Sequence, residues 1–173
     1  MILSAVAALS ALLAIAQSTP PAIDDAQIAA VVVTANQVDI DAGKLAATAA
    51  SDAEVKKFGE LMVAHHTEVN KSAVDLVTKL GVTPKDNPTS QSLKAGGEKA
   101  IARLKGLTGA AFDKAYIDNE VAYHAQVIDA MDKVLIPGAS NAELKALLTK
   151  VRPAFVAHLA HARRLQASLA KAS

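Results

Sequence analysis

From residue 28 onward, apolar residues recur at alternating steps of three and four, the spacing that lines one face of an α-helix. Ile28, Val31, Ala35, Val38, Ala42, Leu45 and Ala49 make the first such stripe. Ser51-Asp52-Ala53-Glu54 follows and predicts a capping box, with Ser51 and Glu54 satisfying free backbone N–H groups. A second stripe then runs through Val55, Phe58, Met62, Val69, Ala73, Leu76 and Leu80, and Gly81 is placed to stop that helix. The first two helices are thus expected to form a tight antiparallel hairpin. Thr108 is the expected N-cap of a third long helix carrying Phe112, Tyr116, Tyr123, Val127, Met131 and Val134, which Pro137-Gly138 should end. Ser140-Asn141-Ala142-Glu143 predicts a second capping box. It opens a stripe of Leu144, Leu148, Val151, Phe155, His158, Ala162, Leu165 and Leu169. Pro153 lies inside this fourth helix and should kink it, since it removes one backbone donor. No period-two alternation of a strand occurs.

Residues 81–108 differ. Pro84, Pro88, Gly96, Gly97 and Gly106 punctuate them, with a short helix expected from about Ser90 to Leu104. An ordinary bundle connection has about two to eight residues. A longer one can carry the chain the length of a bundle, as in ferritin-like topologies, or pack as a minor fifth helix. The fold class is therefore all-α: a ferritin-like, up-down four-helix bundle with a long, partly helical connection between helices two and three.

Composition changes the picture chiefly at the N-terminus. The first 23 residues carry no charged side chain, and Ile2 to Ala16 is an apolar run broken only by Ser4 and Ser10. A membrane span needs roughly 20 apolar residues. With Ala14-Ile15-Ala16 as a cleavage site, residues 1–16 read as a signal peptide, although no Lys or Arg precedes the run. Pro20-Pro21 marks a linker over 17–24, and 25–172 form the bundle domain. This predicts export, to the periplasm, with no membrane span left after cleavage. The 173 residues contain no Cys, which removes disulfides, thiolate metal sites and cysteine catalysis. Eighteen Lys and Arg against 17 Asp and Glu give a net charge of +1, with no basic stripe of the kind nucleic acid requires. Phosphate loops and nucleophile elbows are missing as well.

The candidate chemistry lies on helix faces that should point inward. His158 occupies a seam position in an otherwise apolar stripe, and His66 faces the seam between Met62 and Val69. Glu120 and His124 are one turn apart, and Asn36 and Asp39 flank the seam of the first helix. Counted from the first turn, Asn36 and His66 should lie level. Counted from a second turn at Pro137-Gly138, His158 falls level with residue 118, which staggers it from His124 by roughly 9 Å. One cluster or two separate polar pockets are both open. Imidazole and carboxylate ligands suit Zn, Fe, Cu or Mn on facing helices. His158 and His161 could also pair on one face. The Glu-x-x-His repeat of di-iron oxidases is missing, because Glu120 precedes His124 by four residues. The competing reading makes His66, His124 and His158 neutral core residues that hydrogen-bond Tyr, Asn or carboxylate and set helix register. His65 and His161 read as rim residues, and Asp41, Glu60, Glu68 and Arg163-Arg164 as solvated faces. Met62 and Met131 read as core filler.

Four motifs in order resemble a known group. They are Asp39-Ile40-Asp41-Ala42-Gly43-Lys44-Leu45-Ala46; Val55-Lys56-Lys57-Phe58 with Met62-Val63-Ala64-His65-His66-Thr67; Phe112-Asp113-Lys114-Ala115-Tyr116-Ile117 followed by His124; and Pro153 with His158. Across about Asp25 to Leu169 the chain resembles the bacterial exported family known as domain of unknown function 4142, a ferritin-like helical bundle. That family usually has Glu at positions 39 and 41 and Asp at position 65, so this chain departs from the pattern there. The resemblance implies export, a ferritin-like bundle, and His66, His124 and His158 as pattern positions; it supplies no activity. Together these readings describe a non-catalytic periplasmic bundle, with envelope stress as one setting. It would bind a divalent transition metal or small ligand through His66, His124, His158, Glu120 and Asp39. The alternative is a structural or interaction module whose core histidines only specify packing.

Overall fold

A computed structural model describes residues 23–172, so the expected signal peptide (1–16) and most of the expected linker (17–24) lie outside the described residues. Among the described residues the structure is all-helical, without strands. Five helices carry it: α1 Asp25–Ala49, α2 Ala53–Lys79, α3 Pro88–Lys105, α4 Gly109–Ala130 and α5 Ala142–Ala172. A π-helical turn at Met131–Leu135 and a further turn at Ile136–Gly138 extend α4. The extended helix ends at Gly138, as expected, with Pro137 inside its last turn. Pro137 offers no backbone N–H to that last turn. Helix α5 runs through Pro153 as one element.

The caps lie one residue beyond the predicted ones. Asp52, not Ser51, is the N-cap of α2 and accepts from the N–H groups of Glu54 (2.8 Å) and Val55 (3.1 Å). Asn141, not Ser140, accepts from Glu143 (2.9 Å) and Leu144 (3.1 Å). Asp and Asn are at least as good as Ser in this role, so a neighbouring carboxylate or amide displaces the hydroxyl. Thr108 stands at the N-cap of α4, but its side chain makes no capping bond. Helix α1 has a true capping box, Asp24 with Gln27. Gly81 ends α2 as expected: at φ +65° it lets its own N–H reach Thr78 O (3.1 Å) and Val82 N–H reach Val77 O (2.9 Å).

Two apolar layers fill the interior. One joins Ile28, Val31 and Val32 of α1 with Ala73 of α2, Val127 of α4 and Leu144, Leu148 and Phe155 of α5. The other joins Ala42 and Ala46, Val55, Phe58 and Met62, Phe112, Tyr116 and Ile117, and Ala162. The first layer takes the start of α1 and α5 and the end of α2 and α4. Hence α1 runs parallel to α5, and α2 to α4. Helix α3 makes this possible. Its cap residue Asn87 donates to Gln27 O at the start of α1 (3.0 Å), and Leu104 near its end lies in the second layer. It therefore carries the chain back along α1, and the long connection is both a crossover and a fifth helix. Helices α1 and α2 pack closest: a methyl on Gly43 would stand 2.8 Å from Gly59 O.

Candidate metal centre

Between the two apolar layers each long helix turns a polar residue inward. Asn36 and Asp39 share a face of α1 at i and i+3, and Glu120 and His124 share a face of α4 at i and i+4. His66 comes from α2 and His158 from α5. All six side chains are buried, none more than 4% exposed.

Hydrogen bonds fix the tautomers. Asn36 Nδ2 donates to Val32 O (2.8 Å), so Asn36 Oδ1 is an acceptor toward the Nδ1 of His66, 2.8 Å away. His66 Nδ1 therefore carries a proton, and its Nε2 is the atom turned toward Asp39. His124 Nδ1 likewise lies 3.0 Å from the backbone carbonyl of Glu120, which can only accept. Both Nε2 atoms stand over one oxygen: Asp39 Oδ2 is 2.9 Å from His66 Nε2 and 3.4 Å from His124 Nε2. Neither pair is aligned as a hydrogen bond. Both Asp39 oxygens, both Glu120 oxygens, the two Nε2 atoms and His158 Nδ1 are buried with no hydrogen-bond partner. His158 Nε2 is taken up by His65 Nδ1 at 2.9 Å. Phe155 closes one side, its ring centroid 5.0 Å from that of His66.

The electrostatics follow. Burial pushes the Asp39 carboxyl up, but the contact with His66 and the charges of His66 and His124 outweigh it, and its pKa falls below the usual value. Burial, reinforced by the charge of Asp39, holds Glu120 well above its ordinary range. Without a cation, Asp39 is thus the ionised carboxylate and Glu120 keeps its proton. Burial and then the neighbouring His66 and His124 lower His158 to about 3, so it is neutral. Burial likewise holds the Tyr116 and Tyr123 hydroxyls protonated. Tyr123 donates to Ala35 O (2.8 Å), whereas Tyr116 Oη has no partner.

Two groups of ligand atoms, each within 4.8 Å of one another, result: His66 with His124 and His158, and Asp39 with Glu120 and His124. Because His124 belongs to both, the structure makes one cluster, not two pockets. The five expected residues lie together. The expected 9 Å stagger of His124 and His158 is not found, their ring centroids being 5.4 Å apart. The turn lies at Ala139–Asn141, two residues later than assumed, so His158 falls level with residue 122 and within about 3 Å of His124 along the axis. The expected His158–His161 pair is also absent, since His161 packs edge-on against Phe58 at 5.0 Å. Two participants went unread in the sequence. His65 is exposed, as a rim residue should be, but it bonds His158; the Tyr116 hydroxyl sits buried below Glu120 in a stripe that reads as plain core.

No curated protein and no solved structure matches this chain. A family model does, over residues 10–165. The chain belongs to the family described as Domain of unknown function (DUF4142).

Proposed function

We propose that this chain is an exported, non-catalytic bundle of ferritin-like topology that holds one divalent transition-metal ion between α1, α2, α4 and α5. The observation that carries this reading is Asp39, a buried carboxylate on which the Nε2 atoms of His66 and His124 converge without an aligned hydrogen bond. An isolated buried anion costs several kcal/mol unless a counter-charge answers it. No Lys or Arg forms an ion pair with it among the described residues. A cation bound by His66 Nε2, His124 Nε2 and His158 Nδ1 with Asp39, and Glu120 once deprotonated, would answer the unpartnered atoms of these five residues. Three nitrogens, carboxylate oxygens and no sulfur suit Zn, Fe, Cu or Mn. Asn36 holds the far nitrogen of the His66 ring, as a partner of a metal-bound imidazole does. Export is supported by the apolar run of residues 2–16. No helix among the described residues is long and apolar enough to cross a membrane.

Thermal denaturation with and without metal tests the reading. At a free concentration of about 100 times Kd, a cation that binds only the folded state adds about 2.7 kcal/mol, or roughly 5–10 °C in Tm. No stabilisation by Zn, Cu, Fe or Mn would leave the histidines as packing residues of a structural or interaction module.

A further inference from the structure

We propose that His65 is the port through which the ion reaches the internal site, passing by way of His158. This rests on the metal-binding reading above. The five candidate ligands are all buried, and His158, at 4% exposed, is the one nearest solvent. His65 is exposed on α2, yet its Nδ1 lies 2.9 Å from His158 Nε2 and the two rings stack at 5.2 Å. The inner nitrogen of His158 is unpartnered, and its ring is 5.2 Å from that of His66 and 5.4 Å from that of His124. Imidazoles therefore form an unbroken series from the surface to Asp39.

Such a series answers a physical difficulty. A hydrated divalent ion loses its water shell at great cost if it must enter a low-dielectric core bare. Where each lost water is replaced by a nitrogen already in place, no step leaves the ion uncoordinated. His65 offers the first nitrogen. The His158 ring then gives up its hydrogen bond to admit the ion, which passes from the outer Nε2 to the inner Nδ1. Packing elsewhere offers no equivalent: Phe155 walls the site toward the first apolar layer, and Tyr116 and Met62 lie fully buried toward the second. On α4, Asn119 is half-buried beside Glu120, and its amide is the competing entrance.

Stopped-flow uptake of Co²⁺, followed by its visible absorption in the full chain, tests this. His65→Leu should slow uptake roughly tenfold, about 1.4 kcal/mol of barrier, and slow release into chelator by the same factor, leaving Kd and the final spectrum unchanged. Asn119→Ala should load at the wild-type rate. Since His65 is exposed, an unaltered circular dichroism melt of the metal-free variant will show that its fold is intact. Wild-type uptake by His65→Leu, or faster release with normal uptake, would overturn the port, the latter making His65 only a support for His158. Slow loading in Asn119→Ala alone would move the entrance to α4. A wild-type chain that takes up no Co²⁺ would instead overturn the metal site itself.

Discussion

Asn36 shows how a single amide decides what an imidazole can do. Its Nδ2 is committed to Val32 O, so its Oδ1 forces the proton of His66 onto Nδ1 and presents Nε2 to Asp39. Asn36→Leu should keep the helix, since Leu is a better helix former, while weakening metal affinity roughly 10–100-fold, measured by competition with a chelator. His158 adds a pH dependence to the metal-free protein. Its folded pKa of about 3 lies below the unfolded 6.5, so the unfolded chain binds more protons between those values. Stability contributed by the neutral ring is complete above about pH 6.5 and is lost as pH falls toward 3. Urea midpoints at pH 7 and pH 5 should therefore differ less in His158→Leu than in the wild type. At this scale the candidate ligands were legible because each lies in or beside an apolar stripe. His65 was not, because an exposed position carries no periodic signal of the contact it makes across helices.

Carboxylates tie each helical hairpin to the other. Asp113, buried near the start of α4, accepts from the N–H groups of Ser51 and Asp52, both at 2.9 Å, and from the Ser51 hydroxyl. At the opposite end Asp25 accepts from Ser140 (2.9 Å) and Asn141 (3.0 Å). Each turn thus finds acceptors for its N–H groups in the other hairpin. Asp113→Ala should leave buried donors unanswered and cost about 1–3 kcal/mol, read as a lower denaturant midpoint at unchanged m-value. Gly59→Ala should cost a similar amount by overpacking, because its methyl would meet Ala46 Cβ at 2.8 Å and Gly43 O at 2.9 Å. Helix periods, the crossover segment and the Gly81 stop could be read locally. The π-helical turn could not, and with it went the position of the second turn and the height of His158.

Across the whole molecule a polar layer lies between two apolar ones, and its position on all four long helices depends on chain direction. Helix α3 returns the chain along α1, so that α4 runs parallel to α2 and brings His124 beside His66, with ring centroids 5.6 Å apart. Without that return the same four stripes would still pack, but Glu120 and His124 would approach Asn36 and Asp39 from the wrong direction. The sequence left open whether the histidines form one site or two pockets, because helix height and rotation depend on tertiary packing that periodicity does not encode. The central claim is that this arrangement exists to hold a cation. Elemental analysis of the protein, purified without chelator or a His tag, tests it most directly, with His66→Ala, His124→Ala and His158→Ala in parallel. The account predicts roughly one divalent transition-metal ion per chain, lost in each variant. Folded, metal-free wild-type protein that stays metal-free when Zn, Fe, Cu or Mn is supplied would contradict it.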